Sequence, residues 1–265
     1  MLKALRARIA QGHRTIEFPD GPAPALPERF RGLPAIDAAR CPEGCRDCAA
    51  ACPTGAIAAG AGGVSLDLGK CLFCPECERA CPEKAVSFTG DYRLSVRSRE
   101  ALVTKGREIE LAKALDEKLL RLFGRSLKLR QVSAGGCNAC EADVNVLTTV
   151  VWDIGRFGIQ IVASPRHADG LLVTGPVTEN MRLALRKTYD AVPDPKIVIA
   201  VGACAISGGP YLDRPEQHCG AASTVPVDLF IPRCPPHPLT ILDGLLRLLG
   251  RIEEGAARRT GGSAT

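Results

Sequence analysis

A run of four closely spaced cysteines is the strongest chemical signal in the chain. It reads Cys71-Leu-Phe-Cys74-Pro-Glu-Cys77-Glu-Arg-Ala-Cys81-Pro82. The C-x2-C-x2-C-x3-C-P spacing is a bacterial pattern for binding four-iron, four-sulfur clusters. Three thiolates on one loop can reach one face of such a cluster, and the fourth, predicted at the head of a short helix, points toward a second cluster. The run therefore predicts an iron–sulfur protein with a second cysteine run.

The second run lies upstream and reads Cys41-Pro-Glu-Gly-Cys45-Arg-Asp-Cys48-Ala-Ala-Ala-Cys52-Pro53. Its first gap is one residue longer, which loosens a loop without removing a ligand. In two-cluster domains of this kind the fourth cysteine of each run binds the other cluster. The predicted ligands of the first cluster are Cys41, Cys45, Cys48 and Cys81, and those of the second are Cys52, Cys71, Cys74 and Cys77. A zinc site is the alternative, but it needs no proline after the last cysteine.

Four further cysteines follow predicted strands in the second half of the chain. There, short apolar runs at 127–132, 159–163, 171–174, 197–201 and 227–231 alternate with helical patterns at 142–152, 177–189 and 239–249. This alternation is typical of a doubly wound, mainly parallel sheet, which builds its sites at the carboxyl ends of its strands. The residues placed there are Cys137, Cys140, Cys204 and Cys234. They predict a third cluster, and the alternative is a set of ordinary turns with buried cysteines.

The elements that must position these cysteines fall into five segments. Residues 1–40 form a short basic amphipathic helix, predicted over 1–16, and an extended, proline-rich lead-in. Residues 41–99 form a two-cluster ferredoxin-like domain, 100–126 a connecting helix, 127–250 the parallel-sheet domain, and 251–265 a disordered tail. The fold class is therefore α/β, with a two-[4Fe-4S] ferredoxin-like domain followed by a flavodoxin-like, doubly wound parallel sheet.

The composition predicts the cellular compartment and argues against some functions. The chain has 265 residues and thirteen cysteines, and its first residues lack the apolar stretch of a secretory signal. These features predict a reducing, cytoplasmic location and metal ligation instead of disulfides. No apolar run is long enough to cross a bilayer. Only 4% of residues are aromatic and the basic residues are dispersed, which argues against nucleic-acid binding.

Several motifs in the second half carry a resemblance to a known family. They are Gly136-Cys137-Asn138-Ala139-Cys140, Thr174-Gly175-Pro176-Val177-Thr178, Gly202-Ala203-Cys204 and Cys234-Pro235-Pro236. Residues 127–250 resemble the small subunit of energy-converting, group 4 [NiFe] hydrogenases such as formate hydrogenlyase, which is related to the terminal-cluster subunit of complex I. Residues 1–105 resemble the two-cluster ferredoxin subunit of the same complexes, so the chain looks like a fusion of two subunits.

Two positions refine this resemblance. Hydrogenase small subunits carry C-x2-C, as Cys137 and Cys140 do, where the complex I subunit carries adjacent cysteines. The chain departs from the hydrogenase pattern at Arg233, where that family usually has glycine, and in the placement of its acidic residues at Glu141 and Asp143.

The resemblance implies an electron-transfer subunit of an oxidoreductase, with three [4Fe-4S] clusters and no substrate chemistry of its own. Implied partners are a catalytic large subunit, membrane subunits, and a further electron-carrier subunit or soluble ferredoxin. The implied location is the inner face of the cytoplasmic membrane. Two alternatives stay open: a quinone-side subunit of a complex I-like or nickel-free complex, and a stand-alone polyferredoxin.

Each of several weaker sequence signals allows two interpretations. Glu141 and Glu179 are candidate proton relays, although an acid in a first helical turn, as predicted for Glu179, also stabilises the helix. His237 either donates to a cluster sulfur or lies in an exposed loop. Cys219 has no partner at matching spacing, so a free thiol is favoured over a ligand. The N-terminal helix lies on a membrane or partner, or packs on its own domain.

Overall fold

The computed structural model describes residues 2–60, 63–105 and 108–252. Of the tail predicted at 251–265, residues 253–265 lie outside the described residues. Among the described residues, every helix falls short of the length and hydrophobicity that a bilayer-spanning segment needs.

The second half of the chain is built on a five-stranded parallel sheet, which confirms the predicted α/β class. Its strands are β6 Leu127–Ser133, β7 Ile159–Ile161, β8 Gly170–Thr174, β9 Ile197–Val201 and β10 Leu229–Ile231. Their spatial order is β10-β9-β8-β6-β7, and each neighbouring pair is parallel. This is the flavodoxin-like order, in which the chain starts in the sheet interior and winds both ways. β8 and β9 are buried along their whole length, as expected for strands covered on both faces.

Five helices belong to this half. They are α4 Glu117–Phe123, α5 Ala139–Val146, α6 Glu179–Ala191, α7 Ala203–Ser207 and α8 Pro238–Leu248. α5 begins earlier and ends earlier than the predicted 142–152. The hydroxyls of Thr148 and Thr149 donate to the carbonyls of Asn145 and Val146. The amides of the same threonines bond those carbonyls with i→i−3 spacing, so the helix ends in a tighter turn.

The described residues between 34 and 104 form two small antiparallel sheets and two short α-helices. The helices are α2 Asp47–Ala50 and α3 Glu76–Ala80, and the strands are β1 Pro34–Ile36, β2 Ile57–Gly60, β3 Gly63–Asp67, β4 Val86–Phe88 and β5 Val103–Thr104. β1 pairs with β4, and β2 and β5 flank β3. Each short helix carries the third cysteine of its run, Cys48 or Cys77. The prediction that the fourth cysteine heads the helix was wrong, because Cys52 and Cys81 follow the helix end.

Two further predictions about local structure need correction. Among the described residues of the connecting helix predicted for 100–126, only α4 is α-helical, and Glu100–Leu102 form a single 3-10 turn. Upstream, the Ala112 amide bonds the Ser95 carbonyl and the Leu115 amide bonds the Leu248 carbonyl, so tertiary hydrogen bonds hold residues 108–116 in a non-helical path. The proline-rich lead-in also contains β1, whose pairing with β4 could not be read from local pattern. The five-segment division itself remains a prediction.

The N-terminal helix α1 runs from Leu2 to Gln11 and has no buried residue. Leu2, Leu5 and Ile9 are 60–72% exposed. The structure therefore does not support the interpretation that this helix packs on its own domain.

One hydrophobic core joins the two halves. It includes Leu68 and Phe73 from the first half and Val132, Ala205 and Ile206 from the second. Val96 also makes a single antiparallel bridge with Phe230 of β10. The cysteine loops of the first half and the sheet edge of the second are therefore parts of one packed body.

Candidate metal centre

The four cysteines of the sheet half lie at the carboxyl edge of the sheet. β6 leads to Cys137 and to Cys140 within α5, β9 leads to Cys204 in α7, and β10 leads to Cys234. Cys140 interacts electrostatically with Cys137 and Cys234, and Cys204 interacts with the other three. Three separate loops thus bring four sulfurs into one neighbourhood.

Two glycines make room for these sulfurs. At Gly202, with φ of +92°, an added Cβ would lie 2.5 Å from the Cys140 Sγ. At Gly209, with φ of +56°, it would lie 2.9 Å from the Cys204 Sγ. Positive φ and the absent side chain both require glycine here, so the backbone closes tightly around the sulfur atoms.

A buried carboxylate fixes the helix that carries Cys140. Glu141 is 6% exposed, and it accepts hydrogen bonds from the hydroxyls of Ser133 at 2.6 Å and Thr174 at 2.7 Å. These hydroxyls stand at the carboxyl ends of β6 and β8. Glu141 therefore ties the start of α5 to two strands and holds Cys140 in place.

Burial and neighbouring sulfurs disfavour free thiolates at Cys140 and Cys204. Burial, with Cys234, Glu141 and Cys137 nearby, raises the pKa of Cys140 to about 12. The Cys204 thiol donates to the Cys234 sulfur, which raises the pKa of Cys204 and lowers that of Cys234. Because metal binding replaces the thiol protons and offsets the repulsion between sulfurs, the donor set is chemically suited to a cationic iron–sulfur core.

In the first half, four cysteines border a narrow apolar cavity. They are Cys52, Cys71, Cys74 and Cys77, and the cavity is also lined by Ile36, Ile57, Leu66, Val86 and Phe88. Burial and the neighbouring Cys77, Cys52 and Cys74 raise the pKa of Cys71 to about 12, against the lowering effect of the Phe73 amide. We call these four residues the inner group.

The other four cysteines form what we call the outer group: Cys41, Cys45, Cys48 and Cys81. Burial is the main cause of the raised pKa of Cys48, and Cys41, Cys81 and Cys45 add to it. A cleft of about 580 Å³ opens beside Cys41 and Cys45 and is also lined by Glu43, Arg46 and Lys105. The outer group is therefore nearer to solvent than the inner one.

Backbone amides donate to sulfurs in a pattern that repeats between the two runs. The Ala56 amide donates to the Cys52 Sγ and the Ala85 amide to the Cys81 Sγ, both at 3.2 Å. In each case the donor is four residues after the fourth cysteine. Such bonds reduce the negative charge that a thiolate presents to a metal.

Three candidate residues from the sequence lie outside these groups of sulfurs. Glu179 begins α6, where Arg182 and His218 lower its pKa to about 2. His237 caps α8 through its Nδ1, which accepts from the Leu239 amide at 3.1 Å, and it is half-buried instead of lying in an exposed loop. Cys219 is exposed, and its sulfur accepts a hydrogen bond from the Gln217 side-chain amide at 3.4 Å.

Within the described part of the chain, no set of three or more histidine, cysteine, aspartate or glutamate side chains can hold a single metal ion. Four thiolates on one zinc would each lie about 2.3 Å from it. A four-iron cluster takes one thiolate per iron and so accepts a wider cage.

The similarity to known proteins lies in the sheet half of the chain. The family described as NADH ubiquinone oxidoreductase, 20 Kd subunit, matches residues 137–248. The chain is 42% identical over 135 residues to the probable membrane-bound hydrogenase subunit mbhJ of Pyrococcus furiosus, covering 51% of this chain and 81% of that subunit. It is 43% identical over 118 residues to an NADH-quinone oxidoreductase subunit of Clostridium beijerinckii, covering 44% of this chain and 70% of that subunit.

Formate hydrogenlyase subunit 7 of Escherichia coli is 43% identical over 141 residues, which is 53% of this chain. The match covers 55% of that subunit, so the chain spans about half of its length. The predicted resemblance to hydrogenase and complex I subunits is thereby confirmed.

Proposed function

Because the chain belongs to the family of the 20 Kd subunit of NADH ubiquinone oxidoreductase, we propose that it is the electron-transfer subunit of a membrane-associated [NiFe]-hydrogenase-type complex. It carries electrons through three [4Fe-4S] clusters to or from a catalytic large subunit. The observation that carries this proposal is the convergence of Cys137, Cys140, Cys204 and Cys234 from three loops at one sheet edge.

The proposed ligands are the outer group, the inner group and the four cysteines at the sheet edge. When bound, each cluster supplies a centre that takes up and releases one electron. The chain's own residues hold the sulfurs, exclude water and donate amide hydrogen bonds. The inner group is suited to an internal carrier because apolar side chains surround it, whereas the outer group faces a solvent-accessible cleft suited to exchange with another carrier.

The relative positions of the three cysteine groups support a route for electrons from one group to the next. Cys77 of the inner group interacts with Cys48 of the outer group. On the other side, the Ser207 hydroxyl of α7 donates to the Gly69 carbonyl at 2.9 Å. Cys204 lies in the same helix as Ser207, and Gly69 comes two residues before Cys71. The inner group therefore lies between the other two, and a cluster held there would be the intermediate carrier.

A second candidate function is supported by the match to a subunit of NADH-quinone oxidoreductase. In that case the partner has no nickel and the chain delivers electrons on the quinone side. The C-x2-C spacing of Cys137 and Cys140 favours the hydrogenase alternative by the resemblance described above. Two C-x2-C pairs in the co-purifying large subunit would identify nickel–iron chemistry. A chain that purifies with no large subunit would instead support a stand-alone polyferredoxin.

Proton relay is a separate proposal, for Glu141 and Glu179. Glu141 lies beside Cys140 with two hydroxyl partners, Ser133 and Thr174, along which a proton can pass. Glu179 has a lowered pKa, so it is ionised at neutral pH and takes part only as a transient acceptor.

Iron analysis tests the proposal directly. Three four-iron clusters predict about twelve iron atoms per chain, measured on anaerobically purified protein together with acid-labile sulfide. Replacing Cys204 with alanine is expected to lower the count to about eight and to remove one signal from the electron paramagnetic resonance spectrum. A count of about eight in the wild type would contradict a cluster at the sheet edge, and zinc in place of iron would contradict the proposal as a whole.

We further propose that the chain lies on the inner face of the cytoplasmic membrane and that α1 contacts anionic lipid. Its exposed Leu2, Leu5 and Ile9 share one face, and the segment carries Lys3, Arg6, Arg8 and Arg14 before the first acidic residue, Glu17. Basic helices with an apolar face bind anionic membrane surfaces by burying that face.

Vesicle binding measures this contribution. Replacing both Leu5 and Ile9 with glutamate is expected to weaken binding to anionic vesicles at least about tenfold, since burying one such side chain is worth roughly 1.5–3 kcal/mol. Leu122→Glu is the control, because Leu122 is 52% exposed on another helix. Equal loss in the control, or binding that does not weaken with salt, would contradict a role for α1.

A further inference from the structure

Arg233 has a backbone conformation that its residue type rarely adopts. Its φ is +115°, a region that favours glycine and that other residues occupy at a cost when the surroundings require it. Strained positions of this kind cluster at functional sites. The side chain must therefore contribute something that glycine would not.

The backbone of Arg233 belongs to the sheet-edge group. It directly precedes Cys234, and its carbonyl accepts a hydrogen bond of 2.9 Å from the amide of Ala203, the residue before Cys204. One peptide unit thus connects the loops of two of the four cysteines.

The side chain of Arg233 reaches the loop of the inner group. Its guanidinium lies 4.2 Å from the ring centre of Phe30 and 5.7 Å from that of Phe73. Phe73 stands between Cys71 and Cys74, and its amide donates to the Cys71 Sγ at 3.3 Å. Arg233 therefore spans the space from the sheet-edge group to the inner group.

The charge of Arg233 is held in this space without an ion-pair partner in the described part of the chain. Its Nη1 is buried and has no hydrogen-bond partner among the described residues. The charged or ionisable groups that act on it are Arg31, Asp143 and Cys71, and an arginine guanidinium is protonated at neutral pH. A buried cation without a partner is unfavourable, and anionic thiolate-bound clusters on both sides would offset that cost.

We propose that Arg233 is a positioning residue whose fixed positive charge, placed between the inner group and the sheet-edge group, raises the reduction potentials of the two clusters bound there. The inference rests on the proposed function. An electron added to either cluster increases its negative charge, so a nearby cation stabilises the reduced form more than the oxidised one.

A redox titration followed by electron paramagnetic resonance tests this on the cluster-loaded full chain. Arg233→Gly removes the charge while accepting the positive φ, and Arg233→Met removes the charge while keeping an apolar stem. Both are expected to shift the midpoints of the inner and sheet-edge clusters to more negative values, with about a tenfold change in the equilibrium constant for reduction, about 59 mV for one electron. The outer cluster is expected to shift less.

Two controls separate charge from structure. Arg233→Lys keeps the charge and is expected to keep the midpoints, whereas Lys187→Met removes a charge from the exposed face of α6 and should leave all three unchanged. Unmoved midpoints in Arg233→Gly with three clusters present, or an equal shift in Arg233→Lys, would overturn the inference. Absence of cluster signals in the wild type would instead overturn the proposed function.

Discussion

Replacing Cys81 with alanine is expected to remove the cluster of the other cysteine run, whose ligands are Cys41, Cys45 and Cys48, and to leave the cluster on Cys71, Cys74 and Cys77. Cys81 is close in sequence to Cys77, but its sulfur contributes to the raised pKa of Cys48. Cys52 in turn contributes to the raised pKa values of Cys71 and Cys77. We therefore expect the fourth cysteines to exchange partners between the two runs.

The experiment compares three variants by iron content and electron paramagnetic resonance. Cys81→Ala should lose the same signal as Cys41→Ala, and each should lose about four of about twelve iron atoms. Cys52→Ala is the mirror variant and should lose the other signal. Cys219→Ala is the matched control, since Cys219 lies outside the three groups, and it should keep all three. Loss of one common signal in Cys81→Ala and Cys77→Ala would contradict the exchange of ligands.

The second large effect concerns a buried ion pair in α8. The Arg247 Nε donates to the Asp243 carboxylate at 2.8 Å, and the two side chains are 4% and 2% exposed. Arg247→Met leaves a buried carboxylate without its partner, which is expected to cost about 3–5 kcal/mol. Replacing both residues together, Asp243 by leucine and Arg247 by methionine, should recover much of that loss, because no unpaired charge remains.

Hydrogen exchange of the α8 and β10 amides measures this loss without denaturing the clusters. A loss of about 3–5 kcal/mol raises the exchange rates of the slowest amides between about 100-fold and a few thousand-fold. The control is Arg186→Met, since Arg186 and Asp190 have the same i, i+4 spacing on α6 but are more than half exposed. Exposed pairs of this kind contribute about 0–1 kcal/mol. Equal effects in the two variants would contradict the special cost of the buried pair.

The loss of stability caused by Arg247→Met is expected to depend on pH. Burial raises the pKa of Asp243 above its ordinary value, and Arg247 acts against that rise. Without Arg247 the carboxyl is held neutral at low pH and must ionise as the pH increases. The neutral buried carboxyl costs nothing below the ordinary aspartate pKa of about 4, and the cost grows as the pH rises above that value toward the raised pKa of the folded state, so the destabilisation should be larger at pH 7 than at about pH 4.

The sheet domain and the cysteine loops follow from local sequence patterns. β8 and β9 are continuous apolar runs, and the spacing of the cysteines is a local pattern typical of cluster-binding loops. Both signals lie within a few residues of the element that they describe, and the structure has strands at all five predicted places. The order of the strands then needs only the rule for doubly wound sheets.

Features that depend on contacts between residues distant in sequence could not be predicted from local patterns. Residues 108–116 have helical periodicity, yet their amides bond Ser95 and Leu248. Asp243 and Arg247 have the i, i+4 spacing of a solvent-exposed pair, and only the full packing of α8 shows that they are buried. At Arg233 the departure from the family pattern is visible in the sequence, but the span of its side chain between two cysteine groups depends on the approach of the two halves.

The shared core of the two halves has a kinetic consequence. Two separate carriers must find each other by diffusion, at a rate that depends on orientation and on ionic strength. Here Leu68 and Phe73 are packed with Ala205 and Ile206 in one apolar cluster, so in the proposed electron route the donor and acceptor ends of that step are joined in a single polypeptide. On this proposal the encounter is completed when the protein folds, and each turnover begins with the two ends already docked.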